Sequence, residues 1–231
     1  MHTPDPHADV ALHTYGPSLD RADVAVVMIH GRGASAEGIL ALADEFDRPP
    51  VPAKAGIAYL APQAAGSTWY PYSFLAPLDR NEPWLSSALD VVGRVLARIE
   101  AAGIPAERTV LCGFSQGACL ATEYAARNPR RYGGVVALSG GLIGREQLRA
   151  VDPPADKILD YDGSLAATPV FLGCSDEDPH IPLVRVEHSA EAFEKLGADV
   201  TMRIYPGMGH TVNEDEIEAV REMLAAVQAP A

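Results

Sequence analysis

Short apolar runs alternate with longer segments of helical spacing along almost the whole 231-residue chain. Each run has the length of a strand and is bounded by turn residues, and most are rich in Val, Ile or aromatic residues, as buried parallel strands are. Such alternation predicts one α/β domain with a mostly parallel sheet covered by helices on both faces. The predicted strands are residues 24–29, 57–60, 109–112, 135–138, 170–172 and 200–205.

Two of the intervening segments have clear helix boundaries. The first begins after Pro83, since proline suits a first helical turn, and ends before Gly103. The last helix follows Asn213, a favourable N-cap, and opens with three acidic residues at the positive end of the helix dipole. Its predicted apolar face consists of Ile217, Val220, Leu224 and Val227.

Composition and charge exclude several classes of protein. The chain is 48% hydrophobic, which is enough to form a sizeable core and excludes a mainly disordered protein. Its 18 basic and 31 acidic residues give a formal net charge of −13. Because such a surface repels phosphate backbones and anionic lipids, we expect neither nucleic-acid binding nor peripheral membrane attachment.

The expected location is the cytoplasm. Three cysteines imply no disulfide framework, which favours a reducing compartment. The first residues have neither a basic start nor an apolar run of signal-peptide length, and no segment has 18 unbroken apolar residues. The sequence leaves open whether the chain forms a homodimer.

Two stretches do not fit the strand–helix alternation. Residues 1–10 are polar and contain prolines, which predicts a flexible tail before a domain over residues 11–231. Residues 62–83 carry several prolines and an aromatic cluster, which predicts a long loop. Long loops in compact domains tend to be functional, so this one is a candidate lid over a binding site.

The strongest chemical motif is Gly113-Phe-Ser115-Gln-Gly117, between a predicted strand and a predicted helix over residues 118–127. In this G-x-S-x-G pattern the glycines allow a strained turn that lifts the serine hydroxyl above the sheet, at the positive end of the helix. Ser115 is therefore the candidate nucleophile. The alternative is a serine that only caps the helix.

A nucleophilic serine needs a base, and the base needs an acid that orients it. His210 follows the last predicted strand, and three carboxylates, Asp176, Glu177 and Asp178, follow the strand before it. Both positions are carboxyl ends of strands, where open α/β sheets form their sites. Asp178 precedes Pro179, which restrains the backbone, but the residues alone leave the other two carboxylates open.

The oxyanion formed during acyl transfer needs N–H donors. One donor is expected from the residue after the nucleophile, Gln116, and the second from the early loop His30-Gly31-Arg32-Gly33, with Arg32 as the candidate. This loop does not match a dinucleotide-binding fingerprint, because it lacks a third glycine at the required offset.

Four motifs in order resemble those of the phospholipase/carboxylesterase family of α/β-hydrolases, over roughly residues 20–228. They are His-Gly-x-Gly, Gly-Phe-Ser-Gln-Gly, Asp-Glu-Asp-Pro-His-Ile-Pro and Tyr-Pro-Gly-Met-Gly-His. The family includes bacterial carboxylesterases and acyl-protein thioesterases. The resemblance implies a single-domain α/β-hydrolase fold with Ser115 as nucleophile, Asp178 as acid, His210 as base, and Arg32 and Gln116 as backbone oxyanion donors.

The resemblance also implies the reaction, which is cleavage of short- to medium-chain carboxylic esters through an acyl-enzyme, without a metal or organic cofactor. Thioesterase members typically have Leu at the position of Arg32. The alternatives are a thioesterase or lysophospholipase, and a non-catalytic protein that binds a small molecule in the same pocket. Candidate pocket residues are Trp69, Tyr70, Phe74, Leu75, Ile181 and Met208.

Overall fold

A computed structural model of the chain describes residues 5–48, 56–146 and 157–229. The strands are β1 (Leu12–Tyr15), β2 (Val24–Ile29), β3 (Ile57–Pro62), β4 (Thr109–Phe114), β5 (Gly134–Leu138), β6 (Arg145–Glu146), β7 (Lys157–Ile158), β8 (Pro169–Ser175) and β9 (Asp199–Tyr205). The helices are α1 (Ala36–Leu40), α2 (Ala43–Phe46), α3 (Leu78–Asn81), α4 (Trp84–Ala101), α5 (Gln116–Arg127), α6 (Leu183–Lys195) and α7 (Glu214–Gln228).

The main sheet has seven strands in the order β1-β3-β2-β4-β5-β8-β9, and every neighbouring pair except β1–β3 is parallel. All six predicted strands are present, which confirms the mostly parallel α/β fold. The edge strand β1 was not predicted, because it is partly exposed and lacks an apolar run. The β6–β7 hairpin pairs only two residues on each strand, too few for a sequence pattern.

Two hydrophobic clusters lie on opposite faces of the sheet. Alternate residues of β2 point to opposite faces, so that Ala25 and Val27 pack beneath α4, α5 and α6 while Val26 and Met28 pack beneath α1, α2 and α7. The predicted helix after Pro83 is α4. The last helix, α7, begins at the predicted N-cap Asn213, whose side chain forms a capping box with Glu216.

The prediction of a flexible tail is wrong for residues 5–10, because His7 is fully buried. Its backbone N–H donates to Ser87 Oγ at 2.9 Å, and its carbonyl accepts from Arg94 at 2.8 Å, which fastens the segment to α4. The imidazole contacts the rings of Trp69 and Trp84. Residues 1–4 of the predicted tail lie outside the described residues.

The predicted loop over residues 62–83 contains the end of β3, a 3-10 turn at Ala65–Ser67 and the short helix α3. Trp69 and Tyr70 within it are buried, so much of the segment packs into the domain. Within the described ranges, no helix has both the length and the apolar character needed to cross a membrane.

Candidate active site

Ser115 lies on a sharp turn between β4 and α5, with φ 56° and ψ −121°. A non-glycine residue in this left-handed region is strained, and such strain clusters at functional sites. The neighbouring glycines make the turn possible, because a Cβ at Gly113 would lie 2.3 Å from the Gly117 backbone and one at Gly117 would lie 2.0 Å from the Ile29 oxygen. The turn therefore presents the Ser115 hydroxyl at the carboxyl end of the sheet.

The hydroxyl of Ser115 is the first member of a chain of three hydrogen-bonded side chains. Ser115 Oγ lies 2.9 Å from His210 Nε2, and His210 Nδ1 lies 2.7 Å from Asp178 Oδ2. Because an ionised carboxylate only accepts hydrogen bonds, Nδ1 carries the proton and Nε2 is free to accept the serine proton. The three side chains are thus arranged for nucleophilic catalysis.

Only one of the three candidate carboxylates contacts His210. Asp178 is enclosed, and its second oxygen accepts the backbone N–H groups of His180 at 2.8 Å and Ile181 at 3.0 Å. Burial raises the pKa of Asp178, but the hydrogen bonds from His210 and these two amides outweigh it and hold the pKa below its usual value. Asp176 instead accepts the Gly207 N–H at 2.8 Å, and Glu177 is exposed.

The two candidate oxyanion donors flank Ser115. Gln116 is the first residue of α5, where backbone N–H groups have no partner within the helix. The loop that carries Arg32 approaches the nucleophile closely, since a Cβ at Gly31 would lie 3.3 Å from Ser115 Cβ. Among the hydrogen bonds of the described residues, none uses the Arg32 N–H. Both amides are therefore available to a ligand.

A cavity of about 600 Å³ opens beside Ser115 and His210. Of the predicted pocket residues, Tyr70, Phe74 and Ile181 line it. The other three predictions are wrong, for different reasons. Trp69 is fully buried and donates its indole N–H to the His30 carbonyl at 2.9 Å. Leu75 packs against the core, and the Met208 sulfur accepts a hydrogen bond from Asn213 outside the cavity.

Sequence reasoning missed several residues that line the cavity. Phe114 lies against the His210 ring with centroids 4.9 Å apart, and His180 meets the same ring edge-on at 4.8 Å. Phe114 precedes Ser115, and His180 lies two residues after Asp178. Their position in these two motifs is the sequence signal that could have identified them as lining residues. The further lining residues with side chains are Ala34, Pro71, Tyr72, Ser73 and Cys119.

The cysteines are free and buried, and burial raises the pKa of each thiol to about 12, so they stay protonated near neutral pH. Across residues 5–48, 56–146 and 157–229, no three His, Cys, Asp or Glu side chains converge as a metal site requires.

The parallel sheet, the strained serine turn and the Ser–His–Asp chain at the strand ends define an α/β-hydrolase. The sequence profile of the phospholipase/carboxylesterase family matches residues 17–228, and the chain belongs to that family. A phospholipase/carboxylesterase from Dyadobacter fermentans, known from a crystal structure, shares 44% sequence identity with this chain. The two structures superpose with a TM-score of 0.81 over 94% of this chain and 96% of that one.

Two further relatives support the same class. Esterase PE8 is 25% identical, with a TM-score of 0.74 over 95% of this chain and 100% of that one. Acyl-protein thioesterase 1 of Kluyveromyces lactis is 28% identical over 216 residues, covering 87% of this chain and 90% of the relative. The chain is accordingly a hydrolase of the class that cleaves esters or thioesters.

Proposed function

We propose that the chain is a serine carboxylesterase that cleaves small carboxylic esters with Ser115, His210 and Asp178. The observation that carries this proposal is the unbroken hydrogen-bond chain from Ser115 Oγ through both ring nitrogens of His210 to Asp178. A serine that only capped α5 would not need this contact, and its side chain makes no capping hydrogen bond.

In the proposed reaction, His210 Nε2 takes the Ser115 proton while Oγ attacks the ester carbonyl carbon. Asp178 stabilises the imidazolium that results, and the N–H groups of Arg32 and Gln116 hold the oxyanion. Collapse of this intermediate breaks the bond to the alcohol, which leaves with the proton from His210. Water then attacks the acyl-enzyme by the same route, releases the carboxylic acid and restores Ser115.

We expect short- to medium-chain acyl groups as substrates, and the cavity is compatible with them. Its volume is about 600 Å³, and the buried rings of Tyr70 and Phe74 contribute to its wall. Pockets of this size enclose most of the surface of a small-molecule ligand. A cytoplasmic location stays a prediction from the sequence, which leaves open whether the chain forms a homodimer.

A second candidate function is thioester hydrolysis, because relatives such as the Kluyveromyces lactis protein are named acyl-protein thioesterases. Ser115, activated by His210 and Asp178, could attack the carbonyl carbon of an ester or of a thioester. Arg32 occupies the position where thioesterase members typically have Leu, which favours the ester reading for this chain.

The direct test is a panel of p-nitrophenyl esters of graded acyl length, with matched acyl thioesters, assayed on the wild type and Ser115→Ala. We expect kcat/KM to peak at short or medium acyl length and to be higher for esters than for thioesters. Ser115→Ala should lose about 10⁴-fold or more. A folded Ser115→Ala variant that kept a tenth of wild-type kcat would contradict the nucleophile assignment. A wild type that bound the esters without turning them over would contradict the proposed esterase function.

A further inference from the structure

Residues 68–74, here called the wall segment, have no regular secondary structure although five consecutive members, residues 70–74, line the cavity. Trp69, Tyr70 and Phe74 are buried, whereas Pro71, Tyr72 and Ser73 are exposed. Because the segment has no helix or sheet, its backbone N–H and C=O groups need other partners. Side chains from outside the segment supply several of them. The Trp69 carbonyl accepts from His7, and the Tyr72 N–H and Ser73 carbonyl pair with the Asn81 side chain.

Further contacts come from the side chains of the two candidate oxyanion donors. The Arg32 guanidinium donates to Thr68 Oγ1 at 3.0 Å, to the Pro71 carbonyl at 2.9 Å and to the Tyr72 carbonyl at 2.7 Å. Nη1 donates to Thr68 and Pro71, and Nη2 donates to Tyr72. The guanidinium is therefore directed at the wall segment, and no carboxylate pairs with it within the described residues.

Gln116 contacts the same segment from its buried side. Its Oε1 accepts the Trp69 N–H at 2.9 Å, and its Nε2 donates to the Tyr70 carbonyl at 2.8 Å. Thr68 Oγ1 also lies 3.4 Å from Gln116 Oε1, so this hydroxyl touches both anchoring side chains. Since Gln116 is buried, loss of its side-chain amide would leave the Trp69 N–H without an acceptor, while the Tyr70 carbonyl would keep only the Thr68 hydroxyl at 3.0 Å.

We propose that Arg32 and Gln116 are positioning residues whose side chains hold the wall segment in register with the oxyanion donors, so that the wall sets which ester substituents the site accepts. This inference rests on the proposed function, because it assigns the backbone N–H groups of the same two residues to the oxyanion. Each residue thereby links the wall segment to the N–H groups that would hold the oxyanion. Replacing either side chain keeps its N–H, which separates the positioning role from oxyanion binding.

The test compares p-nitrophenyl hexanoate, whose acyl chain we expect to contact the wall segment, with p-nitrophenyl acetate, whose acyl group ends in a single methyl. In Arg32→Met we expect the hexanoate-to-acetate ratio of kcat/KM to fall about tenfold, the scale of one charge-assisted hydrogen bond. Added guanidinium chloride at millimolar concentration should restore much of the ratio. Arg32→Lys should restore less, because an ammonium group cannot match the planar fork of donors.

Arg80→Met is the matched control. The Arg80 guanidinium lies 4.2 Å from the ring centroid of Tyr72 in the wall segment, but among the hydrogen bonds of the described residues it donates none to the backbone of that segment. We expect its ratio to stay within about twofold of the wild type, as surface substitutions usually do. If Arg32→Met fails to fold, Arg32→Lys and Gln116→Met provide the ratio.

A double-mutant cycle measures the coupling between Arg32 and Gln116, which would be absent if the two side chains had independent structural roles. Because Arg32 and Gln116 hold one segment, Arg32→Met and Gln116→Met together should lower the ratio by less than the product of the single losses. Independent losses in the cycle, or an unchanged ratio in Arg32→Met, would overturn the positioning role. A wild type that neither turns over the esters nor reacts with a fluorophosphonate would instead overturn the proposed function.

Discussion

The two sides of the cavity are held in place in different ways. On the reactive side, Ser115 and Asp178 are fixed mainly by nearby backbone, through the turn before α5 and the amides of His180 and Ile181. The wall segment is fixed by distant side chains, such as Gln116, which lies 47 residues from its partner Trp69. In the proposed function, the geometry of the nucleophile and the acid therefore depends on local motifs, whereas the proposed choice of substrate depends on contacts across the domain.

The largest expected effect distinguishes two acids on the reactive side. Asp178→Asn should lower kcat by about 10³–10⁴-fold, because an amide no longer fixes the His210 tautomer. Asp176→Asn keeps an oxygen for the Gly207 N–H and should cost less than about tenfold. Steady-state kinetics on p-nitrophenyl acetate measures both. Equal losses, or a greater loss at Asp176, would refute the Asp178 assignment.

The reactive side was predictable because its motifs are short in sequence. Gly113, Ser115 and Gly117 specify the turn by steric necessity, and parallel strands bring their carboxyl ends to one edge of the sheet. The order of the strands then brings His210 and Asp178 to Ser115. The residues alone could not choose among three adjacent carboxylates, because that choice depends on which one points at the imidazole.

The wall segment could be predicted only as a loop. Aromatic residues suggested a pocket, but nothing local shows that Trp69 faces the core while Tyr70 faces the cavity. Apart from Asn81, the side-chain partners of the segment named above lie far along the chain, and one of them, His7, belongs to a stretch whose polar composition predicted a flexible tail. Such side chain–backbone contacts have no periodic signature in a sequence.

The second prediction tests the steric basis of the reactive side. Gly117→Ala should lower the free energy of unfolding by about 3 kcal/mol, since its Cβ would lie 2.0 Å from a backbone oxygen. Gly33→Ala is the control: it has open space but φ +76°, so it should cost about 1 kcal/mol. Urea denaturation followed by circular dichroism measures both. A Gly117→Ala variant as stable as Gly33→Ala would show that the turn adapts.

The third prediction concerns the wall segment without touching an oxyanion donor. Asn81 is fully buried, and Asn81→Leu leaves the Tyr72 N–H without its acceptor and the Ser73 carbonyl with only the Ala76 N–H as a donor. We expect a loss of about 2 kcal/mol in unfolding free energy, together with a lower preference for the hexanoate ester. Asn128→Leu, at an exposed site, should change stability by about 0.5 kcal/mol at most. Matching losses in the two variants would mean that Asn81 does not fasten the wall.

The smallest expected effect is a pH dependence of stability arising from two imidazoles beside the wall segment. The Ala64 and Ala65 N–H groups donate to His30 and His7, and burial lowers the pKa of both rings. The folded state therefore prefers neutral imidazole, so stability is full above the ordinary pKa of about 6.5 and falls as the pH drops below it. Relative to a variant that lacks one of these rings, we expect the wild type to lose free energy of unfolding between pH 7.5 and pH 5.0.

His7→Gln should make this fall in stability shallower, because one of the two rings no longer takes up a proton on unfolding. Urea denaturation at pH 7.5, 6.5 and 5.0 compares the variant with the wild type. An unchanged pH dependence in His7→Gln would mean that the His7 ring is protonated equally in the folded and unfolded states, and would weaken the view that this segment is firmly packed.

The most direct test of the account is to identify the atom that an ester-like electrophile modifies. After treatment with a fluorophosphonate, intact-mass and peptide mass spectrometry should show one adduct per chain, on Ser115. The reaction should be absent in Ser115→Ala and much slower in Asp178→Asn, while Arg80→Met should react as the wild type does. An adduct on another residue, or an unmodified wild type, would contradict the claim that Ser115, His210 and Asp178 act together as the catalytic unit.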